Sequence, residues 1–512
     1  MQVAHRVAKN TGILYARMAI TVFISLYSTR LVLAALGVTD FGLFNVVGGV
    51  ISMLGFLNSS MAGATQRFMS FAQGAGDLEK VKRIFNMSTL LHAGIAILMV
   101  IVLEIAGYFF LNGVLNIEPE RLSVAKTIYQ FMVVSTFFTV LSVPYEAVIT
   151  SHENMFFYAI LGIIESGLKL GIAIYLAFSA YDHLFIYGLL MAMLSIFLLI
   201  LRRVYCHRNY DECVFNFRKY YEKALMKEVS SFAGWSLLGA STSMIGNYGQ
   251  GIVLNVFFGT IANAGQAIAG QVSGQLGAFA ATMITALNPS IDKSEGAGNR
   301  EMMLKAAMIG SKASFFLLIL FVIPVMIEMQ YIFKIWLKEI PEYAIVFCTL
   351  YLVRHLIDQL FVVISATISA VGNIRRYQIF TSILNFFPLL ITFVLFKLGY
   401  PPYTMYLVFI VYSIIKAYVN VYFSKVYCGL PIIMFFKQVF LRCVLSFAII
   451  YILCSIPLYF FDEGATRLSI VLTINLISFI GVIFLIGLTG NERTKLRQFI
   501  YLMIGKINQI LK

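Results

Sequence analysis

Ionisable side chains interrupt long apolar stretches of this sequence, among them Arg17, Arg30, Glu104, Glu146, Glu165, Lys169, Glu328, Arg354, Asp358 and Lys416. An ionised group at membrane depth is costly, and it persists where it faces a water-filled cavity, an opposite charge or a bound ligand. Two sets are spaced i,i+4, Glu165 with Lys169 and Arg354 with Asp358, so each can close an ion pair along one helix face. Arg30 and Lys416 meet no acidic residue at that spacing, so their counter-charge must come from another helix or from a substrate. Arg30 also lies near the end of its stretch, where it can reach the interface instead. A cavity lined by Arg30, Arg17, Lys416, Arg354 and Lys169 attracts an anion, because a guanidinium fork matches phosphate oxygens and a lysine adds a mobile point charge. Those five are the candidate substrate-binding residues for a phosphorylated, membrane-embedded substrate. Asp358, Glu165 and Glu328 are the candidates for coupling to H⁺ or Na⁺. The sequence has no HExxH, GxSxG or P-loop pattern, so neither covalent catalysis nor a cofactor is expected. The nearest approach to a metal-binding set is Cys206-His207 with Cys213, and no metal site is expected there.

The elements that must hold these side chains follow from composition. The chain has 512 residues, 60% of them hydrophobic and only 12% charged, with a mean hydropathy of +0.86. A soluble chain has about 25% charged residues and could not hide this much apolar surface. A soluble enzyme, a disordered chain and a disulfide scaffold are therefore excluded. A helix crossing the hydrocarbon core needs about 20 apolar residues. Stretches of that kind fall at 11–36, 41–63, 86–112, 124–149, 155–178, 183–204, 231–258, 262–288, 306–330, 344–371, 377–398, 402–424, 439–461 and 467–489. They are continuous rather than alternating, which favours helices over barrel strands. The N-terminal MQVAHRVAKN has no cleavage-site pattern, and the apolar run after it is too long for a signal peptide. With the N-terminus in the cytoplasm, 26 Lys and Arg fall on the inner side and 6 on the outer, so both termini are expected to be cytoplasmic. The net charge of +14 is then an inner-leaflet feature, and no basic, aromatic-rich domain is present to bind nucleic acid.

The chain also repeats itself. Shifted by 222 residues, Gly12 meets Gly234 and Gly37 meets Gly259; GAGDLE (74–79) meets GAGNRE (296–301). Positions 48–79 carry 10 identities without a gap. Six stretches separate the copies, so both halves share one orientation and form a parallel repeat. The expected fold is an all-α polytopic membrane protein of about 14 transmembrane helices: two six-helix repeats around a central cavity, plus two further C-terminal helices. The expected divisions are 1–204 and 230–424 for the lobes, 205–229 for a basic interfacial linker, 425–489 for the extra helices and 490–512 for an amphipathic tail. Asp77 and Asn299 follow the paired GAG turns and are expected to cap the next helices. Cys206, Cys213, Cys348, Cys428, Cys443 and Cys454 fall in apolar runs or basic loops and read as free thiols.

RLVLAALGVTDFGLFNVVGGV (30–50) and GATQRFMSFAQGAGD (63–77) resemble the polysaccharide transporter family, within the multidrug/oligosaccharidyl-lipid/polysaccharide exporter superfamily. Members of that family include O-antigen flippases. The resemblance covers most of the chain and is sharpest over residues 10–90. It implies alternating-access movement of undecaprenyl-pyrophosphate-linked oligosaccharide across the bacterial inner membrane. It also implies a cationic central cavity, in which Arg30 matches a basic position, and partners among polysaccharide-assembly proteins. Arg30 has no basic counterpart at its repeat mate, Ile252. A multidrug or cation exporter of the same superfamily needs an acidic, cation-binding lobe, against which the basic bias argues. A membrane glycosyltransferase or polymerase is the reading from another class; the short outer loops leave little room for a catalytic domain.

Overall fold

The computed structural model describes residues 2–52, 55–111, 119–337, 340–494 and 497–498. Helix accounts for 89% of the chain, and the described residues contain no strand. Eleven helices among the described residues are long and apolar enough to cross a membrane. The protein is membrane-embedded. Of the expected stretches, 41–63 lies partly, and the 490–512 tail largely, outside the described residues.

The helices are α1 (Gln2–Ser52), α2 (Gly55–Gly74), α3 (Leu78–Phe109), α4 (Pro119–Ser151), α5 (Met155–Leu176), α6 (His183–Asn209) and the short α7 (Phe217–Tyr220). There follow α8 (Lys223–Gly296), α9 (Arg300–Ile327), α10 (Met329–Trp336), α11 (Ala344–Val371), α12 (Arg375–Lys397) and α13 (Thr404–Cys428). The last are α14 (Ile432–Phe435), which runs through a π turn into α15 (Leu441–Ser455), and α16 (Ala465–Val482).

Sequence reading separated the first two stretches, and likewise the seventh and eighth, by loops. The structure instead carries α1 and α8 through these points, each bent at one glycine. Gly37 has φ 74°, ψ 171° and Gly259 has φ 68°, ψ −160°. A residue with a Cβ adopts that region only under strain. The two glycines are repeat mates, so one conformational requirement is met twice. The repeat recurs in the caps: Asp77 accepts from the Lys80 N–H at 2.9 Å, and Asn299 from the Met302 N–H at 3.0 Å. It recurs again in two buried thiols. Cys206 donates to the Tyr145 carbonyl and Cys428 to the Thr367 carbonyl, donors and acceptors alike being 222 apart.

Packing groups the chain into two compact units that cut across the repeat. The first comprises 1–244, 284–303 and 369–382; the second comprises 245–283, 304–368 and 383–512. In the first unit α4 packs on α6, α3 and α2, and α1 lies along α5. One core of this unit joins Phe68, Met69, Phe85, Tyr145, Ile149 and Phe232. At the end of this unit bearing the α5–α6 turn, Arg121 bridges Asp40 at 2.8 Å and Asp182 at 2.5 Å, tying α1 to the starts of α4 and α6. In the second unit Glu328 takes both arms of the Arg467 guanidinium at 2.8 and 2.9 Å, which fastens α16 to the end of α9. Lys312 on α9 pairs with Glu492, and Asn475 on α16 donates to the Leu320 carbonyl.

Candidate functional site

The ionisable side chains singled out in the sequence divide between the units. Arg17, Arg30, Glu165 and Lys169 belong to the first, and Glu328, Arg354, Asp358 and Lys416 to the second.

In the first unit, Arg17 lies against α5. Its guanidinium stacks 4.7 Å from the Tyr158 ring. Gly162 makes the room, since a Cβ there would sit 2.1 Å from the Arg17 Nε. Thirteen residues on, Arg30 is exposed on the same helix, before the Gly37 bend. Neither arginine forms an ion pair with a carboxylate among the described residues. Lys169 and Glu165 do pair, at 2.7 Å along one face of α5.

In the second unit, Arg354 and Asp358 approach to 3.7 Å, and the Arg354 guanidinium covers the Phe409 ring at 4.7 Å. Between them on α11, His355 meets the Ser273 hydroxyl at 2.5 Å and stacks on Tyr351. Sequence reading passed over His355 because a single histidine in an apolar helix carries no spacing signal; its partner Ser273 comes from α8. Lys416 lies over the Tyr412 ring at 5.8 Å. Glu328 is buried, and both its oxygens are held by Arg467.

Charge therefore distributes unevenly. Glu165, Asp358 and Glu328, the three candidate ion-coupling carboxylates, each have a basic partner within 4 Å. Arg17 and Arg30 have no carboxylate partner among the described residues. A guanidinium within an apolar helix and without a carboxylate must find its counter-charge in water, at an interface or on a ligand.

The first unit holds two further polar features. A cavity of about 480 Å³ lies between α3 and α4, lined by Glu104, Tyr108, Lys126 and Gln130. Elsewhere in this unit the Gln66 amide of α2 donates at 3.0 Å to Asp292 in the C-terminal part of α8, and the Arg67 guanidinium donates to the Ala370 carbonyl at 2.7 Å. Close by, Glu212 of the linker is held by His152 at 2.5 Å and by Gln73. Burial alone would raise the Glu212 pKa, but the hydrogen bond and charge of His152 outweigh it and hold the carboxyl below its usual range.

Residues 14–175 match the MatE family model. The chain has the fold of MATE transporters. Over 83% of its length it superposes on a mutant MATE protein, covering 96% of that chain at a TM-score of 0.71 and 14% identity. A multidrug resistance MATE family transporter of the MOP superfamily in an outward-facing conformation matches over 83% of this chain and 95% of its own, with a TM-score of 0.69 and 14% identity. A MOP superfamily transporter from Pyrococcus furiosus, described as having a binding pocket of reverse polarity, matches over 83% of this chain and 95% of its own, with a TM-score of 0.68 and 14% identity. No curated protein matches the chain.

Proposed function

We propose that this chain is a transporter of the bacterial inner membrane that moves undecaprenyl-pyrophosphate-linked oligosaccharide from the cytoplasmic to the outer leaflet. One observation carries the choice of an anionic substrate. The three candidate coupling carboxylates, Glu165, Asp358 and Glu328, are matched by bases, whereas Arg17 and Arg30 on α1 have no carboxylate partner among the described residues. A diphosphate supplies that missing charge, and the guanidinium fork suits its oxygens. The hydrocarbon core opposes passage of a sugar–diphosphate head, while the polyprenyl tail prefers to stay in it. A protein surface that receives the head and leaves the tail in lipid lowers the barrier without breaking a bond. A cytoplasm-negative potential drives an anion outward by about 2.3 kcal/mol per charge per 100 mV. H⁺ or Na⁺ coupling would add to that drive. Both termini are cytoplasmic in this reading, and the enzymes that build and polymerise the glycan are the natural partners.

A cation or multidrug exporter shares the fold. For this chain it would need a carboxylate free of a base; Glu165, Asp358 and Glu328 are all paired, which leaves Glu104, held by the Gln130 amide, as its candidate among the described residues. The test is transbilayer movement of a fluorescent polyprenyl-diphosphate sugar in proteoliposomes. Arg17→Gln with Arg30→Gln is expected to lower the rate at least tenfold. Full transport by the double variant refutes the reading.

A further inference from the structure

The crossing of α2 with the C-terminal part of α8 joins equivalent elements of the two repeats, and it does so nearly symmetrically. A Cβ on Gly74 would lie 2.1 Å from the Lys293 carbonyl oxygen, and a Cβ on Gly296 would lie 2.0 Å from the Phe71 carbonyl oxygen. Gly74 and Gly296 are repeat mates, and so are Phe71 and Lys293. The same relation holds for the polar pair beside them. The Gln66 amide donates at 3.0 Å both to Ser70 and to Asp292, which are again mates. Both helices thus touch backbone to backbone at matched positions of the repeat, with one buried carboxyl at the contact.

That carboxyl is the exceptional member. Asp292 is 4% exposed and lies beyond the spanning stretch 262–288. Gln66 donates a hydrogen bond to it, and Arg67 acts on it through space rather than in an ion pair within 4 Å. The Arg67 guanidinium is itself confined among Phe68, Phe71 and Phe232 and spends a donor on the Ala370 carbonyl. Its Nε is buried without a partner. The other charges nearby are Glu228 and Glu295, which act on Arg67, and Lys293, which is drawn off by Glu153 at 3.4 Å.

We propose that Asp292 is a proton-binding site that governs this crossing: the crossing stays shut with the carboxyl protonated and parts when the proton leaves. Burial pushes its pKa up to about 7, against the opposing pull of Arg67 and Gln66. Parting the helices would return the group to water and to its ordinary value near 4. A group that binds its proton more tightly in the shut form favours that form on acidification. The shut-to-open ratio therefore rises tenfold per pH unit as pH falls from about 7 to about 4, and is lowest and flat above 7. The proposal rests on reading the chain as a transporter with alternating access, but on no particular substrate.

The experiment needs no substrate either. Spin labels at Glu79→Cys and Glu301→Cys sit on exposed mates just past the two GAG turns, and all six native thiols are buried. Double electron–electron resonance on the full chain in nanodiscs measures their separation from pH 5 to pH 8. The wild type is expected to gain a longer-distance population between pH 5 and 7. Asp292→Asn is expected to hold the short distance at every pH. An unchanging wild-type distance overturns the proposal without recourse to any variant. A pH response that survives Asp292→Asn overturns it equally. Loss of transport with the pH response intact would count against the substrate reading and leave the proton site standing.

Discussion

The glycine crossing gives the sharpest test of the fold. Ordinary contact begins near 3.4 Å, whereas a Cβ on Gly74 would stand 2.1 Å from a backbone oxygen, so Gly74→Ala must part α2 from α8 by about 1.3 Å. Both sides of the contact are main chain, and no rotamer change can relieve it. Overpacking of this kind costs about 1–3 kcal/mol. Gly296→Ala meets the Phe71 carbonyl at 2.0 Å and should cost the same. Gly94 on α3 is the control, because a Cβ there meets nothing within 4 Å. Gly94→Ala should be neutral or stabilising by up to about 1 kcal/mol through helix propensity. The six buried thiols allow the measurement: a maleimide dye that fluoresces on reaction reports their exposure as the detergent-solubilised protein melts. Both crossing variants should melt well below the wild type, and Gly94→Ala should not. If Gly74→Ala and Gly296→Ala melt with the control, the close approach of the helices is wrong.

Three further outcomes follow by the same measurement. Glu328→Gln leaves the Arg467 guanidinium without its bidentate partner and should cost about 3–5 kcal/mol, whereas Glu328→Leu with Arg467→Leu should recover most of it; equal loss in both would contradict a buried ion pair. Gly37→Ala and Gly259→Ala should each cost about 1–3 kcal/mol, since both glycines hold backbone angles that a Cβ opposes. Glu492 is pushed up by burial but pulled further down by Lys312 and the Thr489 N–H, so its pKa lies below the ordinary range. Its stabilising contribution is present above about pH 4.3, the ordinary glutamate value, and is lost as pH falls through the lowered value. The wild-type melting temperature should fall more steeply on acidification than that of Glu492→Gln, and parallel curves would contradict the pairing.

Much of the architecture is legible in the residues. Apolar stretches of spanning length mark the helices, because lipid forces the backbone to satisfy itself. The 222-residue shift is legible because Gly37, Gly76 and their mates Gly259 and Gly298 occupy positive-φ positions that other residues resist. The i,i+4 pairs of α5 and α11 are legible from spacing alone. Partners across helices are not. Glu328 with Arg467, Lys312 with Glu492 and Ser273 with His355 lie 82–180 residues apart, and no local pattern announces them. Asp292 was missed for a different reason. It stands four residues past the end of an apolar stretch, where a carboxylate ordinarily faces water, and only the packing of α2 against α8 buries it. The continuity of α1 and α8 was missed because a glycine after an apolar run reads as a stop; here it bends the helix without ending it.

The central claim is that the unmatched arginines of α1 select an anionic lipid-borne substrate. The most direct measurement places a polyprenyl-diphosphate sugar and a lipophilic cationic dye in turn before the same wild-type proteoliposomes. The account predicts protein-dependent movement of the diphosphate, saturable and inhibited by free pyrophosphate, with the dye left at the rate of empty vesicles. Movement of the dye with the diphosphate lipid stranded in its leaflet would contradict it.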